Sequence, residues 1–369
     1  MDPEAGSTQL RPPGPEPAQY LLAPPAYYAK SWFDQELDTF LGSRWALIAS
    51  LEELTEAGDY VTATVGRAPL VVVRDGEGRL RAFHNLCRHR GAVLLQGRGN
   101  VERSISCFYH QWRYTLDGSL AVVPQRKEQF PDLVPEDWGL LPASVEVWEG
   151  MVFVHPEAAA SPLSGTLTGL PDRLGSHHPA LLSQVGGARL DARCNWKLFV
   201  ENHVDIYHLW YLHGATLSDF DHTRFEHRQT EGNWTSYEPL RQGEVATALS
   251  RGTTAIAHLD DRDRLGIGAH LVFPNLMIAT AAEFFATYVA EPVSPDHTVI
   301  DLRVRAEPGA DAAALVDAVR SFIDEDIAAC EAIQDAVESP AFAIGPLAQG
   351  HEQPITAFQS QVLAAMGAP

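Results

Sequence analysis

The first half of the chain alternates apolar and polar residues in short runs, a pattern typical of β-strands with one buried face. The runs recur from Asp59 to Pro156, and turns containing glycine, aspartate or asparagine separate them. Representative runs are Tyr60–Val65, Leu70–Val73, Ser119–Val123 and Met151–Val154. This part of the chain is therefore predicted to be a small all-β domain.

The second half of the chain mixes helical and strand periodicities. Helical patterns span about Trp196–His213 and Ala310–Val337, and strand patterns lie around Gly268–Ala279, Glu283–Ala290 and Thr298–Ala306. The predicted fold class is therefore α+β. Three units are expected, namely a flexible tail with an N-terminal helix (1–40), the β domain (41–157) and a mixed domain (158–369).

Composition and charge narrow the function classes. The formal net charge of −21 argues against nucleic acid and anionic membranes as partners. The longest apolar stretch, Ile267–Ala282, contains a histidine, a proline and an asparagine, so no membrane span is predicted. The proline-rich residues 1–19 lack the apolar region of a signal peptide, and a cytoplasmic location is expected. Two of the four cysteines, Cys194 and Cys330, have apolar neighbours and are expected in the core, not in a disulfide.

Two Cys–His pairs occur within the predicted β domain, Cys87 with His89 and Cys107 with His110. Zinc sites usually group Cys with Cys and His with His, whereas here each short turn offers one thiolate and one imidazole. Two such turns can hold a [2Fe–2S] cluster if one iron takes both cysteines and the other takes both histidines, the Rieske arrangement. A zinc site and a chance meeting of four residues in a core are the alternatives.

The same region is basic within an acidic chain. A single acid, Glu102, accompanies five arginines, Arg88, Arg90, Arg98, Arg103 and Arg113. A basic rim beside a redox centre would favour docking of an acidic electron donor. The alternative is that these arginines are ordinary solvent-exposed charges in turns, with no docking partner.

A second group of candidate metal ligands lies on the predicted helix that begins at Trp196. Asp205 and His208 are three residues apart and fall on one helical face. His208 and His213 are five apart, which a regular helix would splay by about 140°. Both can bind one metal only if the helix distorts or ends between them, and Gly214 is placed to help such an ending.

Two imidazoles need a carboxylate to complete the triad that leaves iron positions open for oxygen. The late helical segment has an apolar stripe of Leu315, Val319, Phe322, Cys330 and Ile333. Asp326 falls on that stripe, whereas Asp324, Glu325, Glu331 and Asp335 are predicted to point elsewhere. Because a core-facing carboxylate is unfavourable unless paired or metal-bound, Asp326 is the predicted third ligand. Pairing with a buried arginine is the alternative.

Four stretches resemble the motifs of one family. They are CRHRG (87–91), CFYHQW (107–112), NWKLFVENHVDIYH (195–208) and FPNLMI (273–278). Over roughly residues 26–340 the chain resembles the oxygenase (α) subunit of the Rieske non-haem iron oxygenases, the aromatic-ring-hydroxylating dioxygenase family. The resemblance implies an N-terminal Rieske [2Fe–2S] domain and a C-terminal helix-grip catalytic domain, an antiparallel sheet with a long helix. It also implies a homotrimer.

The resemblance assigns roles to individual residues. Asp205 would bridge the catalytic site to the Rieske centre of a neighbouring subunit through that subunit's His110, and Asn202 would be a polar residue near the iron. The cluster ligands it implies are Cys87, His89, Cys107 and His110, and the ligands of a mononuclear Fe(II) are His208, His213 and Asp326.

The implied reaction uses O₂ and electrons from NAD(P)H, delivered by a separate flavin reductase, a ferredoxin or both. The product would be a hydroxylated compound, a cis-diol or a demethylated amine or ether. The whole chain resembles the branch acting on quaternary ammonium compounds such as choline and betaines, and an aromatic ring or natural product is the alternative substrate. Candidate aromatic residues for either are Trp210, Tyr211, Phe220, Phe273, Phe284, Phe285 and Tyr288. A Rieske electron carrier without catalysis is the rival from another class.

Overall fold

The structure is a computed structural model, and it describes residues 18–230, 232–244, 255–342 and 344–367. The predicted flexible tail at 1–17 lies outside these residues. Ala18 and Gln19 already pack against the C-terminal part of the chain, since the Ala18 backbone N donates to Gln349 and the Gln19 backbone N donates to Thr356.

The N-terminal half is built from ten short strands in two antiparallel sheets. One sheet has seven strands in the order β1-β10-β9-β4-β3-β2-β5, and a smaller sheet has the order β6-β7-β8. The strands are β1 (Ala46–Ser50), β2 (Asp59–Val65), β3 (Ala68–Arg74), β4 (Leu80–His84), β5 (Arg98–Asn100), β6 (Ser104–Ser106), β7 (Arg113–Thr115), β8 (Leu120–Val122), β9 (Pro142–Trp148) and β10 (Met151–His155). The prediction of a small β domain is confirmed.

The C-terminal half contains one seven-stranded antiparallel sheet in the order β11-β17-β16-β15-β14-β13-β12. Its strands are β11 (Ser183–Ala192), β12 (Glu226–Thr230), β13 (Asn233–Pro239), β14 (Gly266–Val272), β15 (Leu276–Thr280), β16 (Phe285–Ser294) and β17 (His297–Ala306). Sequence-adjacent strands pair from β12 to β17, as expected for hairpin connections.

The α-helices of the described residues are mostly short. They are α1 (Lys30–Asp38), α2 (Arg126–Gln129), α3 (Leu163–Thr166), α4 (Leu170–Arg173), α5 (Trp196–Val204), α6 (Asp261–Arg264), α7 (Ala312–Gln334) and α8 (Gln353–Ala365). Side-chain caps begin the two helices that matter most for the site: Asn195 accepts from the Lys197 backbone N in α5, and Asp311 accepts from the Ala314 backbone N in α7. No described helix is both long and apolar enough to cross a bilayer.

The long helix α7 packs with α5 and the sheet in one hydrophobic core. Val319, Phe322 and Cys330 of the predicted stripe are buried there. Ile333 is 44% exposed, so its assignment to the buried stripe was wrong. The position that continues the buried face after Cys330 is Gln334, which is half-buried and donates to the Tyr27 carbonyl. The α+β, helix-grip prediction is otherwise confirmed.

Two buried arginines of β17 connect the two halves of the chain. Arg303 Nη2 donates to the Ile48 carbonyl at 2.6 Å, and Arg305 Nη2 donates to the Gly150 carbonyl at 3.0 Å. Both acceptors belong to the β1 and β9–β10 region of the N-terminal sheet. Hydrogen bonds from charged donors to buried carbonyls are among the stronger ones, so these contacts fix one sheet against the other.

Candidate metal centres

The two Cys–His turns have the same backbone geometry. The Cys87 carbonyl accepts from Gly91 N at 2.8 Å, and the Cys107 carbonyl accepts from Gln111 N at 3.0 Å. Gly91 and Gln111 both have positive φ, +70° and +58°. That conformation is easy for glycine and strained for glutamine, so the second loop adopts the turn against its local preference.

The four candidate cluster ligands converge at the tips of these loops. Cys87 and Cys107 are buried, and the imidazoles of His89 and His110 lie with ring centroids 4.6 Å apart. Trp112 stacks on His89 with a centroid distance of 5.0 Å and an interplanar angle of 11°. Two inner thiols and two outer imidazoles match the division of ligands between the irons of a Rieske cluster.

Two details of the loops fit a bound cluster. The Nδ1 atom of His89 is buried and has no hydrogen-bond partner, which is unfavourable unless it binds a metal. The Tyr114 hydroxyl lies 3.4 Å from Cys87 Sγ and accepts a hydrogen bond from Arg88 N. Hydrogen bonds to cluster sulfurs tune the reduction potential, and Tyr114 is a cluster neighbour that the sequence motifs did not single out.

The predicted basic rim is partly committed to internal contacts. Arg98 pairs with Glu53, and the Arg88 guanidinium donates to the Gly139 carbonyl. Arg90, Arg103 and Arg113 are exposed, as is the candidate ligand His110. The predicted docking of an electron donor would therefore rest on these three arginines.

The helix that carries the second constellation ends earlier than predicted. Helix α5 stops at Val204, Asp205 has extended geometry, and Tyr207–Trp210 forms a separate 3-10 turn. The prediction of one helix over about Trp196–His213, with Asp205 and His208 on one helical face, was therefore wrong. Two contacts end the helix: Asp205 Oδ1 accepts from Tyr207 N, and Ile206 N donates to the carbonyl of the distant His351.

This break brings the three predicted iron ligands together. His208 Nε2 and His213 Nε2 are 3.1 Å apart, and Asp326 Oδ1 lies 3.5 Å and 3.0 Å from them. One ligating atom from each residue lies within 4.8 Å of the others. Asp326 Oδ1 is buried without a hydrogen-bond partner, so the group fits a metal better than a hydrogen-bonded core cluster.

Charge in the site favours a cation. Burial lowers the pKa of His208, but the carboxylates of Asp205 and Asp326 outweigh it and raise that pKa to about 9. Burial raises the pKa of Asp326, but the adjacent imidazoles of His208 and His213 outweigh it, so the pKa is lowered. A site that stabilises positive charge on its imidazoles also stabilises a divalent metal ion between them.

Each candidate histidine ligand contacts a carboxylate through Nδ1, the ring nitrogen that does not face the other candidate ligands. Asp205 Oδ2 lies 3.3 Å from His208 Nδ1, and Glu325 Oε2 lies 2.7 Å from His213 Nδ1. Thr216 Oγ1 also donates to Glu325 at 2.8 Å. Glu325 lies off the apolar stripe, as predicted, but its carboxylate reaches His213, and its position next to Asp326 was the only sequence signal for that contact. Such outer carboxylates orient metal-binding imidazoles.

Asn202 lies in the last turn of α5 and does not line the cavity beside the ligands, as far as the described residues define it. Its Oδ1 is buried without a hydrogen-bond partner. A role near the iron therefore stays a prediction. The neighbouring His203 does line the cavity, where its Nε2 donates to the His270 carbonyl and its Nδ1 accepts from the Tyr288 hydroxyl. Burial lowers the pKa of His203 to about 4, so its ring is neutral.

A row of small residues opens the cavity beside the candidate iron ligands. On neighbouring strands, Ser236 lies opposite Ala269, Ala269 opposite Ala279, and Ala279 opposite Ala286. Ser236, Ala269 and Ala279 line the same cavity as all three candidate ligands. Because these short side chains cannot fill the space between sheet and helices, substrate can lie beside the metal site.

The aromatic wall of the cavity differs from the predicted one. Of the seven candidates, only Phe220 and Tyr288 line it among the described residues, and Trp234 and Phe322 are additional members. Tyr211 is 78% exposed, and the others pack elsewhere. Trp234 was missed because its short strand, β13, gave no strong alternation in the sequence.

Comparisons with known proteins agree with this geometry. The family model "Rieske [2Fe-2S] domain" matches residues 44–145, and "Ring hydroxylating alpha subunit (catalytic domain)" matches residues 180–368, more than half of the chain. Choline monooxygenase of Atriplex hortensis is 28% identical over 352 residues, covering 89% of this chain and 74% of that protein. The biphenyl 2,3-dioxygenase α subunit of Rhodococcus jostii is 34% identical over 192 residues, covering 51% and 42%.

The fold also matches solved structures. The quaternary ammonium Rieske monooxygenase CntA in complex with L-carnitine superposes with a TM-score of 0.79, covering 93% of this chain and 95% of that one, at 23% identity. At that identity the likeness shows the fold alone. Together with the family models, it makes the chain a member of the ring-hydroxylating α-subunit family, the oxygenase component of a Rieske non-haem iron oxygenase.

Proposed function

We propose that this Rieske oxygenase hydroxylates or oxidatively demethylates a small quaternary ammonium compound. One observation carries the proposal: acids and aromatic rings line the cavity, but no lysine or arginine does among the described residues. Such a lining favours a cation over a carboxylate substrate. The similarity to a choline monooxygenase over most of the chain supports the same class.

The aromatic residues supply the second part of a cation site. Phe220, Trp234 and Tyr288 line the cavity, and ring faces attract quaternary ammonium groups without needing a hydrogen bond. The acids of the lining add negative potential. A choline-like compound without a carboxylate therefore fits the lining better than a betaine does.

The metal assignments belong to the same proposal. Cys87, His89, Cys107 and His110 would hold the [2Fe–2S] cluster, and His208, His213 and Asp326 would hold the mononuclear iron. The reduced iron would supply O₂ activation. The chain's other residues hold substrate beside it and orient the imidazoles, with Glu325 behind His213 and Asp205 behind His208.

Electron delivery between subunits is also proposed. We infer that Asp205 links His208 to His110 of a neighbouring subunit in a homotrimer. The contact of Asp205 with His208 and the exposure of His110 support this route. Electrons would come from NAD(P)H through a flavin reductase, a ferredoxin or both, in the cytoplasm. The domain limits 41–157 and 158–369 and the role of Asn202 stay predictions of the same kind.

The test is a substrate panel with purified holoenzyme and a surrogate reductase. We expect oxygen uptake with choline-like compounds, and formaldehyde release if a methyl group is oxidised. Turnover of biphenyl-like aromatic compounds with no turnover of any quaternary ammonium compound would contradict the proposal and favour the aromatic alternative, which the biphenyl dioxygenase similarity supports over a shorter part of the chain.

A further inference from the structure

Glu238 is a buried carboxylate in the substrate cavity that the metal site does not use. The inward residues of β13 alternate as Trp234, Ser236 and Glu238, and all three line the cavity. Glu238 is only 4% exposed and lies opposite Ile267 on β14. A carboxylate beside an aliphatic side chain is unfavourable without a compensating charge or hydrogen bond.

A single buried histidine holds this carboxylate in place. His222 Nδ1 forms a short hydrogen bond with Glu238 Oε2, and His222 is 3% exposed. Two hydrogen bonds of Asp221 hold the 3-10 turn His222–Arg224 in place. The Asp221 side chain accepts from the Thr223 backbone N, and the Asp221 backbone N donates to the Pro239 carbonyl at 2.8 Å. His222 thus fixes the orientation of the Glu238 carboxylate through one of its two oxygens.

The other acids of the cavity are already engaged. Asp205 contacts His208, and Asp326 contacts His208 and His213 in the candidate iron site. Among the described lining residues, Glu238 is thus the carboxylate that does not contact a candidate iron ligand. A cationic substrate in the cavity would compensate its charge.

We propose that Glu238, positioned by His222, recognises the positive charge of the substrate and determines the preference for cationic over neutral substrates. This inference rests on the proposed function, a quaternary ammonium oxygenase. A quaternary ammonium group has no N–H, so the attraction is Coulombic and depends on charge, whereas shape and hydrogen bonding are secondary. Glu238 is a specificity residue, and His222 is a positioning residue.

The experiment compares choline with 3,3-dimethylbutan-1-ol, its neutral isostere, in the wild-type holoenzyme and in Glu238→Gln. The glutamine keeps the size of the side chain and removes its charge. We expect the kcat/KM for choline to fall about 30-fold, mostly through KM, with the isostere changed less than about twofold. The Kd of tetramethylammonium, read from tryptophan fluorescence, should rise by a similar factor.

Two further variants separate recognition from folding. Glu226→Gln on β12 removes an exposed carboxylate and should leave the choline-to-isostere ratio unchanged. His222→Asn keeps a donor near the Nδ1 position and should retain most of the ratio, whereas His222→Leu should reduce it. If Glu238 and His222 only stabilised the fold, substituting either would lower kcat/KM equally for both substrates and would lower the melting temperature.

The outcomes distinguish the two proposals. If wild type turns over choline and Glu238→Gln keeps the same choline-to-isostere ratio and tetramethylammonium Kd, the role of Glu238 is overturned while the proposed function stands. If wild type oxidises neither choline nor other quaternary ammonium compounds and does not bind tetramethylammonium, the proposed function itself is overturned.

Discussion

The two metal sites differ in how much of the fold is needed to build them. The candidate cluster site comes from two loops of the same kind, each closed by its own backbone hydrogen bonds. The candidate iron site needs the end of α5, a 3-10 turn and a residue of α7, and its contact between His213 and Glu325 joins residues 112 apart. The first site is local and the second is tertiary.

Because the two sites are built from different parts of the chain, each should form without the other. The two ligand sets share no residue: the cluster set lies on two loops of the N-terminal half, and the iron set lies on the 3-10 turn Tyr207–Trp210, the residues just after it and helix α7. Damage to the tertiary site should therefore leave the cluster loops intact. The variants below test that separation, beginning with the largest expected effect.

His208→Ala should abolish turnover, by about a thousandfold or more, because the mononuclear iron loses a ligand. The visible spectrum and EPR signal of the Rieske cluster should not change. His297→Ala, at a histidine that pairs with Asp191 away from the site, is the matched control and should keep full activity. Loss of the cluster signal in His208→Ala would show that the two sites are not separate.

Asp205→Ala should keep both metals and still lower turnover about a hundredfold, because the contact behind His208 and the proposed path from the neighbouring subunit are lost. Metal analysis, single-turnover rates and steady-state rates check this. Rates equal to wild type in both assays would refute the bridging role.

Ala279→Leu should fill the cavity, because Ala279 lies in the middle of the row of small residues. We expect kcat/KM to fall about 30-fold with iron content unchanged, at a stability loss of about 1–3 kcal/mol from overpacking. Full activity with the same substrate would mean that substrate does not lie over this row.

Glu325→Gln should weaken iron binding about tenfold, since the carboxylate no longer supports the His213 imidazole. A chelator titration followed by iron analysis measures this, and Asp324→Asn on the exposed side of α7 is the control. An unchanged iron affinity would mean that Glu325 only packs against His213.

The double variant Arg90→Glu with Arg103→Glu should give the smallest effect. We expect its electron donor to reduce the cluster about fivefold more slowly at low salt. Arg88 and Arg98 are less suitable for this test, because both side chains are held by internal contacts. Equal rates at low salt would contradict the basic docking face.

The same contrast explains what the sequence could predict. The cluster ligands follow from short spacings, since each Cys–His turn is closed within a few residues. His208, His213 and Asp326 were also predicted, because a carboxylate on an apolar stripe has few explanations. The break after Val204 was not, since the backbone of Ile206 bonds to His351, a partner that local periodicity cannot supply.

The cavity was the hardest feature to predict. Ser236, Ala269, Ala279 and Ala286 form a row only because four strands pair in one register, which no single strand reveals. Trp234 and Glu238 face the cavity for the same reason. The lining of the cavity is therefore set by sheet register, whereas the candidate metal ligands could be found from spacing and periodicity along the chain.

Iron and acid-labile sulfide counts in purified, reconstituted protein distinguish a chain with both metal centres from a chain with one. We expect about three irons and about two acid-labile sulfides per chain, with the Rieske EPR signal on reduction. Asp326→Ala should give about two irons with the same two sulfides. Two irons per chain in wild type would instead identify an electron carrier without a mononuclear site, and zinc in place of iron and sulfide would rule out both proposed iron centres.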